Sequence, residues 1–213
     1  MPPPAAVQGQ INLDQSQGSG QIGVHRSVGF PAGQPIKKRK ALLYKNSADQ
    51  STKPVTDENP GLIQSVSVPK AFSYAVVQQP EDNDYYVSNS KKLVTEFALA
   101  RKYKNIGLLA HNNLAGHSFK DIDLGQEIHV LYEDGRTDRY TVSAIYRFQA
   151  LKSTDTESHF IDLESGKTLS ATEVFTRMYT GAPHITLQTC IAAKGDASWG
   201  RLFVIATPVV ETQ

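Results

Sequence analysis

The sequence predicts a mainly β protein: a closed or nearly closed barrel of short strands with one or two short helices. Three observations carry that expectation. Apolar or alternating segments of strand length recur between Leu62 and Thr207. Turn residues such as Asp134-Gly135 separate neighbouring segments. Only Ser90 to Tyr103 and the residues after Ser170 carry spacings that suit a helix. Closure is the expected arrangement because it protects strand edges from pairing with other chains.

Length and composition narrow the function. A chain of 213 residues with 39% hydrophobic residues buries one good core, so one domain should carry the chemistry. Lys and Arg number 22 against 21 Asp and Glu, a near balance that gives no global field for nucleic acid or an acidic membrane. One cysteine excludes an intramolecular disulfide and a cysteine-rich zinc site. Cys190 is therefore core filler, surface thiol or nucleophile. No run of eighteen apolar residues occurs, and MPPPAAVQGQINLDQ lacks a basic region followed by an apolar core. As written, the chain is expected to carry neither signal peptide nor membrane anchor.

Residues 1–60 are rich in Gln, Gly, Ser, Pro and Asn and show no sustained period, which predicts a flexible, disordered arm. Within it, Lys37-Lys38-Arg39-Lys40 reads as a localisation signal, a contact for an anionic polymer or lipid, or a solvated charge run. The last is favoured, since short basic runs are weakly specific. Residues 61–213 form the expected catalytic domain.

Within that domain, Leu62 to Val68 partly alternates and stops at Pro69, as a strand does. Tyr74 to Gln78 is a second strand. Leu93, Val94, Phe97, Ala98 and Ala100 fit one face of a helix over Ser90 to Tyr103, without excluding an extended segment. Ile106 to Ala110 is a short apolar run that reads as a buried strand delivering His111. Glu127 to Tyr132 and Arg139 to Phe148 read as a hairpin around Asp134-Gly135. Ser170-Ala171-Thr172-Glu173 has capping-box spacing, with Val174, Phe175 and Met178 behind it as one apolar stripe. This places a short helix inside the long connection from Leu151 to His184. Ile185 to Cys190 and Arg201 to Thr207 are the last strands, joined by a Gly/Asp/Ser-rich loop from Ala192 to Gly200.

A thiol attacks a carbonyl as thiolate, so a catalytic cysteine needs a proton-holding neighbour and a donor for the oxyanion. Cys190 ends one expected strand and Arg201 opens the next, so antiparallel pairing would bring guanidinium and sulfur together. Taken alone, a cysteine at a strand end is more often inert core. Arg201 alone reads as a surface salt bridge, and His111 alone as a strand-capping histidine.

Thr186-Leu187-Gln188-Thr189-Cys190 resembles the TLxTC signature of the sortases, cysteine transpeptidases whose signature ends the seventh barrel strand. Arg201, in Trp199-Gly200-Arg201-Leu202-Phe203-Val204, stands where that family carries its catalytic arginine. Ile106-Gly107-Leu108-Leu109-Ala110-His111 resembles the family's apolar strand followed by histidine. Ala115-Gly116-His117 also resembles the small-Gly-His tripeptide found there, so two histidines compete. His111 follows a plausible strand and leaves 14 positions to Gly125, enough for a turn and a short helical segment, whereas His117 leaves 8. His111 is favoured on that spacing, and His117 stays as the alternative. Ala110 stands where the family has glycine before the histidine.

The resemblance covers Leu62 to Val210 and implies a closed eight-stranded sortase-type β-barrel with a long loop before the cysteine strand. It implies that Cys190 attacks the carbonyl of a sorting-signal threonine to give a thioacyl enzyme, which an amine resolves. It makes His111 the general acid/base, Arg201 the oxyanion stabiliser and Thr189 a substrate-binding residue. The connection from Leu151 to His184 becomes a wall of the peptide groove. The implied partners are a sorting-signal peptide or protein and an amine acceptor such as a cell-wall precursor or a pilin lysine, with no nucleic acid. A monomer outside the membrane of a bacterium is expected.

Other readings stay open. Water resolving the thioacyl enzyme would make the chain a signal-specific cysteine peptidase, and a barrel that binds peptide without turnover would be catalytically silent. A papain-like protease fits less well, because that class places its cysteine at a helix N-terminus early in the chain. No cofactor and no metal are expected: His25, His129, His159 and His184 lack ligand spacing, and Asp155, Glu157, Asp162 and Glu164 read as ordinary soluble loop residues rather than the calcium ligands some sortases carry. Trp199 reads as a packing residue on the last loop.

Overall fold

The computed structural model describes residues 61–155 and 157–210. The arm expected over residues 1–60, with its basic run at Lys37–Lys40, lies outside the described residues, as do residues 211–213. Among the described residues ten strands run in chain order as β1 (Ile63–Val68), β2 (Phe72–Gln78), β3 (Leu93–Glu96), β4 (Ile106–Leu109), β5 (Glu127–Tyr132), β6 (Thr137–Ala150), β7 (Phe160–Asp162), β8 (Thr168–Leu169), β9 (Ile185–Ala193) and β10 (Asp196–Pro208). Helix α1 spans Ala98–Lys102, helix α2 spans Ala171–Tyr179, and a 3-10 helix covers Ala115–Asp121.

Eight of the strands pair in the order β10-β9-β4-β3-β2-β1-β5-β6, and β6 pairs back onto β10, which closes the barrel. The remaining two, β7 and β8, extend from β6 as a small outer flap. The sequence expectation of a mainly β, closed eight-stranded barrel with short helices therefore holds. Most neighbours are antiparallel, but β2 pairs β3 and β4 pairs β9 in parallel.

Side chains alternate along each strand, so the barrel wall separates two apolar clusters. One fills the interior: Val66, Val94, Leu108, Ala110, Ile128, Val130, Ile185, Leu187, Leu202 and Val204 are all buried there, with Phe119 of the 3-10 helix. The other lies outside the wall, where Leu109, Phe148, Cys190 and Phe203 meet Val174, Phe175, Met178 and Tyr179 of α2 and Phe97 beside α1. Tyr179 sits edge-on to Phe97 at 5.0 Å and to Phe203 at 6.2 Å between ring centres, so α2 is pinned to the barrel by aromatic contacts.

The capping box read at Ser170 is formed. Ser170 Oγ accepts from the Glu173 N–H, and the Glu173 carboxylate accepts from the Ser170 N–H. Asp134-Gly135 turns the β5–β6 hairpin, with Gly135 at a φ of 87°.

Two expectations need correction. Ser90 to Tyr103 is not one helix: Leu93–Glu96 is strand β3, and only Ala98–Lys102 is helical. Tertiary pairing overrides the helical spacing here, because β3 lies between β2 and β4 and buries Val94, Thr95 and Glu96 in succession. The last loop is also shorter than expected. β9 continues to Ala193 and β10 starts at Asp196, leaving Lys194 and Gly195, both at positive φ, as a two-residue hairpin turn. Cys190 therefore lies within a strand. Among the described residues no helix is long and apolar enough to cross a membrane.

The connection to α2 is fastened by charge as well as packing. Arg177 Nη1 donates to Asp162 Oδ2 at 2.9 Å, and its guanidinium stacks 4.2 Å from the centre of the Tyr146 ring. Burial works against the Asp162 carboxylate, but the Glu164 and Ser165 N–H groups and Arg177 outweigh it and hold the carboxyl below its ordinary range. A depressed carboxyl stabilises the fold above its unfolded pKa and loses that contribution as pH falls through the folded value. Asp162→Asn should therefore lower the Tm most near neutral pH, and the difference from the native chain should shrink below about pH 4. Melting curves across that range check it, and a constant difference would contradict the ion-pair account.

Candidate active site

Strand β9 is the centre of the site, with β4 parallel on one side and β10 antiparallel on the other. Ile185 and Leu187 point into the barrel, which leaves Gln188 and Cys190 as alternate residues on the outer face. Cys190 is 6% exposed within the outer cluster. The strand register sets its neighbours.

On the β10 side, Arg201 is the direct partner of Cys190. Leu202 beside it belongs to the interior cluster, and Phe203, two positions on, shares the outer cluster, so the guanidinium and the thiol share the outer face. On the β4 side, Leu108 pairs Leu187 and Leu109 pairs Gln188, and the Ala110 N–H continues the ladder to the Gln188 carbonyl at 3.1 Å. His111 follows Ala110 where the chain turns away from β4, and the Leu114 and Gly116 N–H groups both donate to its carbonyl at 3.0 Å. Leu109 belongs to the outer cluster and Ala110 to the interior. Pairing thus sets Arg201 beside Cys190, and brings the end of β4, which leads into His111, alongside the preceding residues of β9.

His117 is exposed on the 3-10 helix. That helix packs against the barrel through Gly116, where a Cβ would lie 2.2 Å from Thr189 Oγ1 and 2.7 Å from the Ala110 carbonyl oxygen. Only glycine permits this approach. Thr189 immediately precedes Cys190 on β9. It is 2% exposed, alternates away from Cys190, and donates from Oγ1 to the Ala110 carbonyl at 2.8 Å. Its hydroxyl thus ties β9 to the end of β4 immediately before His111.

Arg201 is 1% exposed, an unusual environment for a guanidinium. Nη1 donates to the Ser198 carbonyl at 2.8 Å and the Gly200 carbonyl at 2.9 Å, and Nη2 to the Ser153 carbonyl at 3.5 Å. The Phe160 ring centre lies 5.9 Å from the guanidinium carbon. The Ser198 and Gly200 carbonyls belong to a bulge between Asp196 and Gly200, where the β9–β10 register shifts, and the Ser153 carbonyl to the loop after β6. Asp196 Oδ1 accepts from the Ser198 N–H at 2.8 Å and from Ser198 Oγ at 3.2 Å. A hydrogen bond with the Ser153 side chain, followed by the Ser198 N–H, holds the Asp196 carboxyl below its ordinary range.

Trp199 in the bulge carries Lys194 Nζ at 5.7 Å from its ring centre, in line with a packing role on the loop. Asn112 Nδ2 donates to the Ala197 carbonyl at 2.7 Å and links the segment after His111 to the same hairpin. Asp162, weighed above as a calcium ligand, is engaged by Arg177. No group of three or more His, Cys, Asp or Glu residues placed to hold a metal occurs among the described residues.

Sequence reading missed the bulge and the glycines that shape it. The available signal was Asp196-Ala197-Ser198, an Asp two residues before an N–H it can accept. Gly200 lets β10 pass against β6, since a Cβ there would sit 2.4 Å from the Phe148 carbonyl oxygen, opposite Arg201. Gly200→Ala should push the strands apart at that point, costing about 1–3 kcal/mol of stability. Denaturant unfolding measures this, and an unchanged midpoint would show that the strands absorb the methyl.

No family model matches the sequence, and no curated protein matches it. Among solved structures the chain is similar to sortase A from Corynebacterium diphtheriae, at 16% identity and a TM-score of 0.47 over 73% of this chain and 63% of that one. It is similar to sortase C1 of GBS Pilus Island 1, at 16% identity and a TM-score of 0.44 over 70% and 64%. It is also similar to sortase C-1 from Actinomyces oris, at 15% identity and a TM-score of 0.47 over 73% and 75%. The chain thus spans less than two thirds of the first two proteins and three quarters of the third.

Proposed function

We propose that residues 61–213 form a sortase-type cysteine transpeptidase domain. The supporting observation is the register that pairs Arg201 with Cys190 and runs the end of β4, two residues before His111, along the other side of β9. The TLxTC resemblance at Thr186–Cys190 supports it independently.

In this reading the Cys190 sulfur attacks the carbonyl carbon of a sorting-signal threonine while His111 takes the thiol proton. The tetrahedral oxyanion lies against the Arg201 guanidinium, whose fixed charge and planar donors suit it. Collapse breaks the peptide C–N bond, and His111 gives its proton to the leaving amine. An incoming amine, losing a proton to His111, attacks the thioester and releases the thiol with the new amide. The low-exposure apolar setting of Cys190 excludes water from the thioester and favours amine over hydrolysis.

Thr189 and Gly116 act one layer back, fixing the β4 end against β9. The segment from Leu151 to His184 serves as a wall of the peptide groove. The substrates are a sorting-signal peptide and an amine such as a cell-wall precursor or a pilin lysine, which would place the domain outside a bacterial membrane.

The test is incubation with threonine-containing signal peptides, with and without an amine, and separation of the products. Ligation in the presence of amine is expected, whereas hydrolysis unaffected by amine would make the chain a peptidase. Cys190→Ala should abolish both products. His111→Ala should reduce turnover by about a hundredfold or more. Arg201→Lys should lose most activity despite its charge, because the planar fork is gone. His117→Ala should stay close to the native rate. An active His111→Ala beside an inactive His117→Ala would reassign the base, and peptide binding without any Cys190 adduct would favour the silent barrel.

A further inference from the structure

We propose that His184 acts as an imidazolium clasp, which holds the end of α2 down over Cys190 in acid and lets it loosen as pH rises. Its meaning for catalysis rests on the transpeptidase reading, whereas the clasp stands on the geometry around His184 alone.

The carbonyls in the last turn of a helix have no partner inside it. In α2, residues beyond the helix meet them. The Thr180 N–H and Oγ1 donate to the Thr176 carbonyl at 3.3 Å and 2.7 Å. Asn105, just before β4, donates from Nδ2 to the Tyr179 carbonyl at 3.0 Å, and Thr186 on β9 donates from Oγ1 to the Met178 carbonyl at 2.6 Å. His184 completes the set and is 8% exposed. Its Nε2 lies 2.9 Å from the Met178 carbonyl oxygen and its Nδ1 lies 2.8 Å from the Ala182 carbonyl oxygen.

Both oxygens are acceptors only. A neutral imidazole has one N–H, so either tautomer would set a lone pair against a carbonyl oxygen at hydrogen-bond distance. Only the doubly protonated ring satisfies both contacts. The end of α2 favours that cation, because a helix C-terminus carries partial negative charge. The surrounding elements supply no carboxylate partner to His184 among the described residues. Helix α2 carries Arg177, which is engaged by Asp162 and Tyr146, and Tyr179, whose hydroxyl is held by Gln188. The segment before β4 carries Lys102 and Lys104, both exposed and screened by solvent, and Tyr103, whose ring meets Phe175 at 5.5 Å. Residues 180–183 add no titratable group, and β9 adds only Cys190, six positions on. Carbonyl oxygens therefore hold the charge, and loss of the proton to solvent removes one of the two contacts.

The clasped end is part of the cover over the thiol. Met178 and Tyr179 share the outer cluster with Cys190, and the Tyr179 hydroxyl donates to Gln188 Oε1, two residues before Cys190 on the same face. Protonation and closure are linked, so the cover is tight in acid and loosens through the range in which histidine titrates.

The test compares the full chain with His184→Gln, which keeps a donor and does not titrate. Hydrogen-exchange protection of the amides of residues 176–180, corrected for intrinsic rates, should fall about tenfold or more between about pH 5 and about pH 8 in the native chain and stay level in the variant. A level native profile, or an equal fall in the variant, would overturn the clasp. Alkylation of Cys190 by iodoacetamide reads the cover. Its rate in the variant relative to the native chain, a ratio that cancels the thiol's own ionisation, should be about ten in acid and approach about one by about pH 8. A ratio that ignores pH would show that the clasp does not govern the thiol.

Nitrogen NMR of histidine-labelled native protein should show both ring nitrogens of His184 protonated in acid. A neutral single tautomer throughout would sink the proposal, and this measurement needs no variant should His184→Gln fail to fold. None of these readouts uses turnover. The expected profiles in a chain that ligates nothing would uphold the clasp and remove the transpeptidase reading alone, while ligation beside a pH-independent ratio would remove the clasp alone.

Discussion

The site depends on the pairing of β9 between β4 and β10. The antiparallel partner sets Arg201, 11 positions on, beside Cys190, and the parallel partner brings the segment that leads into His111 alongside β9. Because side chains alternate with a period of two, a slip of one residue in the β9–β10 ladder would turn Arg201 away from the thiol. Much of the surrounding structure limits that slip. Thr189 ties β9 to Ala110, Gly116 lets the 3-10 helix seat against both, and Asn112 reaches across to the Ala197 carbonyl. Closure through β6 holds β10 from its far side, with Gly200 allowing the close approach at Phe148.

The second constraint is the layer outside the barrel. Helix α2 and the β7–β8 flap cover the outer faces of β9 and β10 with Phe160, Val174, Phe175, Met178 and Tyr179. That layer leaves Cys190 barely exposed and Arg201 almost fully buried. Charges interact more strongly in such a medium than in water, so a guanidinium there is a stronger electrostatic partner but a costly one to leave unsatisfied. The carbonyls of Ser198, Gly200 and Ser153 meet that cost, which connects the bulge to the chemistry.

The sequence makes the repeating parts legible. Partial alternation located β1, the Asp134-Gly135 turn between two β-rich segments located β5 and β6, the apolar run located β4, and Ser170-x-x-Glu173 located α2, because each is a local pattern with its own physical cause. β3 was hidden: Leu93, Val94, Phe97 and Ala98 fit a helical face as well as a strand buried between two partners. β7 and β8, with three and two residues, are too short to carry a period. The stretch Ala192 to Gly200 has the composition of a loop, yet two of its glycines serve a tight turn and a close strand crossing. At the site, Cys190 and Arg201 were legible because they are neighbours through one hairpin. That β4 pairs with β9 is a long-range fact with no local signature, and spacing alone had to choose between His111 and His117.

The most direct test of the central claim is a cross-link that reads the β4–β9 register. His111→Cys should place its sulfur within reach of Cys190, at the Cα separation of about 4.4–6.8 Å that a disulfide spans. Mild oxidation followed by peptide mapping should give a 111–190 disulfide in that variant and none in His117→Cys. A cross-link to position 117 and none to position 111 would contradict the register on which the proposed site is built.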